Sequence, residues 1–319
     1  MNALPSLAEI ENAAAAIAPW CPPTPQFAWP LLGARAGCEV WVKHENHTPI
    51  GAFKVRGGLW LLQRMRAAGR EVRGLISATR GNHGQSLALA GRQFSVPVTI
   101  VVPHGNSREK NAAMRALGAR LIEAGADYED ARQAAIRLAG EEQLEMVPSW
   151  TPDLVCGVAT YGLEFLRAAP PLAVVYVPIG MGSGACGLIA ARDALGLKTD
   201  IVGVVAANAP AYALSFAAGR GVSTETANTV ADGLACRVPS EESLAVLRGG
   251  LADVVQVTEE EIIGAMRAYY TDTHNLAEGA GAAALAALLQ QSEQRQGQRV
   301  GVVLSGGNVD AELFRGVLG

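Results

Sequence analysis

Lys54 is the residue from which chemistry can be argued. It stands in His44-Glu45-Asn46-His47-Thr48-Pro49-Ile50-Gly51-Ala52-Phe53-Lys54-Val55-Arg56-Gly57-Gly58, between a tight Pro/Gly turn and an Arg-Gly-Gly step into an apolar helix. Lysine belongs on wet surface, and burying its ammonium is costly without compensation. The small residues around Lys54 let another group approach the backbone, and burial lowers a lysine's pKa until the amine serves as nucleophile or base. Lys54 is therefore a candidate Schiff-base residue. The alternative is a surface lysine at a helix start, and this stretch by itself does not choose between them.

Three glycine-containing turns offer partners. Val177-Pro178-Ile179-Gly180-Met181-Gly182-Ser183-Gly184-Ala185-Cys186-Gly187 runs from a buried strand into glycines and then a helix, which presents backbone N–H groups to an anion, most often a phosphate. Gly182, Gly184 and Gly187 also spell a dinucleotide fingerprint. That motif needs a carboxylate after the next strand, and Ala206-Ala207-Asn208 supplies none, so a single phosphate group fits better. Thr79-Arg80-Gly81-Asn82-His83-Gly84 brings a hydroxyl, free amides and a carboxamide to a helix start, a cluster suited to a carboxylate; an ordinary Asn/Gly turn is the alternative. Leu304-Ser305-Gly306-Gly307-Asn308 follows the last buried strand. Ligands of open parallel sheets sit past the carboxyl ends of strands, so all three turns can face one site.

The elements that must position them alternate. A capping box of Ser6 and Glu9 opens a helix over 6–17, 19–30 breaks regular structure, and 38–43 alternates as a strand. A helix over 59–68 follows. Strands over 74–77, 96–102, 119–122 and 145–147 then alternate with helices over 85–94, 110–117 and 128–141. A second series has strands at 172–179, 201–205 and 299–304 and helices at 158–168, 187–195, 259–270 and 279–289. The fold class is α/β, with parallel sheets covered by helices.

In 319 residues, half of them apolar, 26 Lys+Arg face 30 Asp+Glu for a formal charge of −4. That balance argues against nucleic acid or an anionic membrane as main partner. Five cysteines, without CxxC spacing, read as reduced, packed thiols of a cytoplasmic protein. The acidic opening stretch lacks the features of a signal peptide, and no apolar run is long enough to span a bilayer.

The lysine turn, the GNHG-type turn, the glycine loop and the Ser-Gly-Gly-Asn turn, in this order, closely resemble the pyridoxal-phosphate enzymes of fold type II, the tryptophan synthase β-like group, and within it the threonine/serine dehydratases. The similarity runs from about Thr24 to the C-terminus. It implies two open parallel-sheet domains: a large cofactor-binding one from 1–73 and 151–319, and a small mobile substrate-binding one over 74–150. It implies pyridoxal 5'-phosphate as cofactor, Lys54 as the Schiff-base lysine and Phe53 beside it. By the same resemblance Asn82 meets the ring hydroxyl, Gly180, Met181, Gly182, Ser183 and Gly184 hold the phosphate, Ser305 meets the pyridine nitrogen, and Glu278 lies near the ring. Thr79, Arg80, Gly81, Asn82 and His83 fall in the substrate-carboxylate turn. For Glu278 the residues alone equally allow a charge at a helix N-terminus.

The implied reaction is α,β-elimination from a β-hydroxy amino acid to a 2-oxo acid and ammonia. Relatives usually carry a small residue, often serine, where Arg80 stands; Arg80 argues against racemisation and can clamp a carboxylate. Val205 replaces a metal-binding glutamate, so no metal site is expected. Ser149 replaces a phenylalanine and suggests room for a bulkier β-aryl serine such as phenylserine. β-Replacement of the cysteine synthase type, a non-catalytic amino-acid sensor and a dinucleotide dehydrogenase are the rival readings. A homodimer is compatible with the sequence, which does not set the oligomeric state.

Overall fold

The computed structural model describes residues 4–319, so the first residues of the acidic opening stretch lie outside it. Its strands are β1 (Gln26–Ala28), β2 (Glu39–His44), β3 (Leu75–Ala78), β4 (Val98–Val102), β5 (Arg120–Glu123), β6 (Glu145–Met146), β7 (Val174–Pro178), β8 (Asp200–Ala206), β9 (Asp253–Val257) and β10 (Arg299–Leu304). The helices are α1 (Leu7–Ile17), α2 (Pro30–Ala36), α3 (Lys54–Ala67), α4 (Asn82–Phe94), α5 (Arg108–Ala116), α6 (Tyr128–Glu142), α7 (Pro152–Ala168), α8 (Ser183–Ala194), α9 (Ala211–Ala218), α10 (Glu241–Gly250), α11 (Glu259–Thr273), α12 (Gly279–Gln290) and α13 (Ala311–Leu318).

Two sheets organise the chain into two α/β domains. The larger is ordered β1-β2-β10-β7-β8-β9 and is parallel except for β1, which runs antiparallel along one edge. The smaller, β5-β4-β3-β6, is parallel throughout. Strands β3, β4 and β7 are buried along their whole length, as expected of parallel strands covered on both faces. Helix α12 supplies one face of the larger sheet with an alanine-rich surface buried from Gly279 to Leu288; α7 and α8 supply the other. None of the described helices is long and apolar enough to cross a membrane.

Several helices begin earlier than periodicity predicts. Helix α3 starts at Lys54, not at 59, because Gly57 and Gly58 are helical residues at a close crossing. A Cβ at Gly57 would stand 3.0 Å from the Leu154 carbonyl oxygen, and one at Gly58 would stand 2.3 Å from Ser86 Oγ. Helix α4 starts at Asn82, so Asn82, His83 and Gly84 form a helical first turn after the N-cap Gly81. Helix α7 starts at Pro152, capped by the Thr151 side chain, and α8 starts at Ser183. Residues 19–30 are not wholly irregular: β1 lies in them, and Pro30 occupies the first turn of α2, where proline fits. The pattern reading does not include β1, α2, α9, α10, β9 and α13. The capping box at Ser6 and Glu9 is present.

Candidate active site

Lys54 opens α3, and its amine donates to Ser183 Oγ at 2.8 Å. The amine also lies 5.1 Å from the centre of the Phe53 ring. Lys54 keeps partial exposure as a residue, but its ammonium is crowded by protein atoms, and this burial pulls its pKa down to about 8. The free amine is therefore easier to reach than in an exposed lysine.

The helix that carries Lys54 is pinned from below. Arg56 is fully buried and donates through Nε to Glu45 at 2.7 Å and through Nη1 to Glu164 at 2.6 Å. Nη1 also reaches the Thr160 hydroxyl at 3.1 Å. Lys43, also fully buried, donates to Glu164 at 2.6 Å and to the Thr24 carbonyl at 2.9 Å. Burial works against the guanidinium charge, yet Glu45 and Glu164 outweigh it and hold Arg56 above its ordinary range. Glu164 is likewise held ionised, because Arg56 and Lys43 overcome its burial.

The glycine loop joins β7 to α8. Gly182 has φ +90° and caps the helix, a backbone state that suits glycine. Gly180 lies against the Gly233 carbonyl, which a Cβ would approach to 2.1 Å, and Gly184 lies under the Phe53 ring. The Met181 carbonyl accepts from Tyr212 Oη at 3.2 Å, and Tyr212 also contacts Ser243 Oγ at 2.6 Å. Thus the loop is fixed from behind, and the unpaired amides of the first α8 turn open beside Ser183 and the Lys54 amine. Ser305 is buried at the end of β10, the strand paired with β7, and its carbonyl accepts from the Phe53 amide at 3.0 Å.

Asn82 joins a chain of polar groups across the cleft. Its Nδ2 donates to Glu278 Oε1 at 2.5 Å, and its Oδ1 accepts from Asn308 Nδ2 at 2.8 Å. Glu278 Oε2 accepts from Lys110 Nζ at 2.9 Å, and Lys110 also reaches Asp232 at 2.6 Å. Burial raises the Glu278 pKa, with Lys110 opposing that and Asp232 adding to it. Glu278 sits at the N-cap of α12 and is 3% exposed, so it is at once a helix-end charge and a cleft residue. Lys110 and Asp232 are not among the residues singled out from sequence. Their partners lie 122 and 168 positions away, and nothing local marks Lys110 within the polar start of α5.

The substrate turn is mostly buried. Thr79 Oγ1 accepts from the Gly81 amide at 3.1 Å, and a Cβ at Gly81 would strike the Lys110 stem. His83 is 4% exposed. Arg80 is half-buried, and its guanidinium enters no ion pair among the described residues, while its carbonyl accepts from Asn106 at 3.1 Å. Ser149 is buried next to Tyr128, whose hydroxyl it approaches. All five cysteines are free and buried. No group of His, Cys, Asp and Glu among the described residues is arranged to hold a metal ion.

Comparison with known proteins follows the same lines. The family model described as "Pyridoxal-phosphate dependent enzyme" matches residues 17–306. The chain is 33% identical over 285 residues to the L-threonine ammonia-lyase of Thermotoga maritima, covering 89% of this chain and 71% of that protein. It is 33% identical over 296 residues to the L-threo-3-hydroxyaspartate ammonia-lyase of a Pseudomonas species, covering 92% of each. Among solved structures, the threonine deaminase of T.th. superposes with a TM-score of 0.89 at 31% identity, covering 96% of this chain and 99% of that one. Maize serine racemase superposes with a TM-score of 0.91 at 27% identity, covering 99% and 97%. The site fits such a cofactor on its own geometry. A crowded, deprotonatable amine stands one hydrogen bond from a helix N-terminus opened by glycines, which matches a compact aldehyde with an anionic tail.

Proposed function

The chain belongs to the pyridoxal-phosphate-dependent enzymes, and on that premise we propose that it is an ammonia-lyase, converting a β-hydroxy amino acid to a 2-oxo acid and ammonia. The observation that carries this reading is the crowded Lys54 amine, 2.8 Å from Ser183 Oγ at the opening of α8, with burial lowering its pKa. Relatives named as ammonia-lyases, matched over most of the chain, support it.

Bound pyridoxal phosphate supplies the electron sink for the pair left at Cα. The chain's own residues do the rest. Lys54 would hold the cofactor through its amine, and that amine could accept or return a proton at the substrate Cα. Gly180, Met181, Gly182, Ser183 and Gly184 turn their amides and the α8 N-terminus to the phosphate. Asn82 and Ser305 would be side-chain partners of the cofactor ring, and a serine hydroxyl would be a weaker proton donor to it than a carboxylic acid. The first turn of α4, from Thr79 to His83, holds the substrate carboxylate, and Arg80, without an ion-pair partner among the described residues, can clamp a carboxylate. We assign closure over the substrate to the unit over 74–150, from which Lys110 reaches Asp232 and Glu278. Ser149 is read as admitting a bulky β-substituent such as that of phenylserine.

The test is the visible spectrum of the purified protein with pyridoxal phosphate, followed by 2-oxo acid release from serine, threonine, 3-hydroxyaspartate and phenylserine. A Schiff-base absorbance, release from at least one of these and no diversion by added thiol are expected. Lys54→Ala removes the absorbance and lowers the rate by about a thousandfold. A colourless parent protein overturns the reading; rates on phenylserine far below those on serine or threonine overturn only the roomy-pocket assignment.

A further inference from the structure

Tyr212 is buried on α9, a helix the pattern reading does not include, and its hydroxyl ends behind the glycine loop. Three groups meet that oxygen: the Met181 carbonyl at 3.2 Å, Ser243 Oγ at 2.6 Å and the Ser240 amide at 3.1 Å. A phenol carries one proton. The carbonyl can only accept, so it takes the Tyr212 proton, while the Ser240 N–H and the Ser243 O–H donate to Oη. Burial raises the Tyr212 pKa, so the phenol keeps that proton at working pH. Ser243 also closes the back of Gly182, where an added Cβ would stand 2.9 Å from the Ser243 Cβ.

The Met181–Gly182 peptide is trans and planar, so its N–H points opposite to its C=O. With the carbonyl turned to Tyr212, the Gly182 N–H is turned away from that hydroxyl, and none of the described residues accepts from it. Gly182 has φ +90° and ψ −9°, the values of the third residue of a type II turn. A type I turn differs by a flip of this one peptide, which would aim the Met181 carbonyl where the amide now points. An anion is held by the first arrangement and repelled by the second. We propose that Tyr212 is a positioning residue for the cofactor phosphate: its hydroxyl fixes the Met181–Gly182 peptide in the sense that offers the Gly182 N–H to the anion. The inference rests on this loop receiving the phosphate of pyridoxal phosphate.

The test compares pyridoxal phosphate with pyridoxal, the same aldehyde without the phosphate, by visible absorbance titration of cofactor-free protein. In Tyr212→Phe, which keeps the ring and loses the donor, the dissociation constant for pyridoxal phosphate should rise about tenfold and that for pyridoxal by less than about twofold. The constant for inorganic phosphate as a competitor should rise by the same factor as that for pyridoxal phosphate. A variant that binds both aldehydes equally more weakly, or both as the parent does, overturns the proposal. A second measurement needs no variant. In the 15N–1H spectrum of the cofactor-free parent, the Gly182 amide proton should move downfield as inorganic phosphate is added. A signal that stays in place at a phosphate concentration that blocks pyridoxal phosphate capture overturns the proposal too. A parent that binds neither aldehyde sinks the cofactor reading itself, a separate failure.

Discussion

Arg56 and Lys110 are both buried cations held by two carboxylates, yet the surroundings give them different work. Arg56 stands on α3, whose apolar residues pack with Leu75, Leu87 and Val98 of the smaller-sheet unit, and it meets Glu45 and Glu164 in a lattice that Thr24, Thr160 and Lys43 complete. Arginine's planar fork suits such a fixed lattice. Lys110 instead leaves the smaller-sheet unit and meets Asp232 and Glu278 across the cleft. Its compact ammonium is held, among the described residues, by these two carboxylates alone. Glu164 is held ionised, whereas Glu278 is pushed towards its neutral form. A buried network whose cations match its carboxylates holds them ionised, whereas one lysine between two carboxylates leaves one of them raised towards its neutral form.

The largest expected effect breaks the first network. Arg56→Met leaves Glu45 and Glu164 without their guanidinium, and unfolding free energy in urea should fall by about 3–5 kcal/mol. The same change in the second network should cost less stability, because Glu278 can take up a proton. Lys110→Met is expected to lose about 1–3 kcal/mol and to lower kcat/KM by at least about tenfold, measured by urea titration and steady-state kinetics.

Acid separates the two networks most finely. Glu278 has a raised pKa, so it takes its proton first as pH falls and does so without loss of stability, since the folded form binds that proton more tightly. Glu164 has a depressed pKa; its contribution is complete above the unfolded value and is lost only as pH falls through the lower folded one. Activity should therefore fall on the acid side while circular dichroism still reports a folded protein. Asp232→Asn removes a charge that raises Glu278. It should move the acid limb of kcat/KM to lower pH and change stability by less than about 0.5 kcal/mol, given that the Asp232 side chain is 26% exposed.

What the sequence discloses follows the range of the interactions. Strand β10 is read from its apolar run with the bounds it has in the structure, and Lys54 and the glycine loop are read from local spacing. Helix starts are the weaker part, because Gly57, Gly58, Gly84 and Gly184 read as turn residues. Their true reason, a close neighbour such as Ser86 or the Phe53 ring, is visible only in three dimensions. Helix α10 does carry a signal: Ser240 caps it before Glu241 and Glu242. Helix α9 carries none of that kind, since Pro210 at its N-cap makes no side-chain cap. Glu164 alone interrupts the buried face of α7 and could have flagged the Arg56 network. Lys110 and Asp232 could not be found this way, being joined only by the fold.

Strand β2 lies between β1 and β10 in the larger sheet. On the ribosome this makes the opening part of the chain wait. Residues 39–44 have one side of their ladder unpaired until residues 299–304 emerge, long after them in the chain. The smaller sheet, contiguous from Leu75 to Met146, has no such debt and can assemble first. Lys54, placed between β2 and β3, then reaches its working surroundings only after β10 and Ser305 have been made, so a product truncated before β7 would hold the reactive amine without the glycine loop or Ser305 to receive a cofactor.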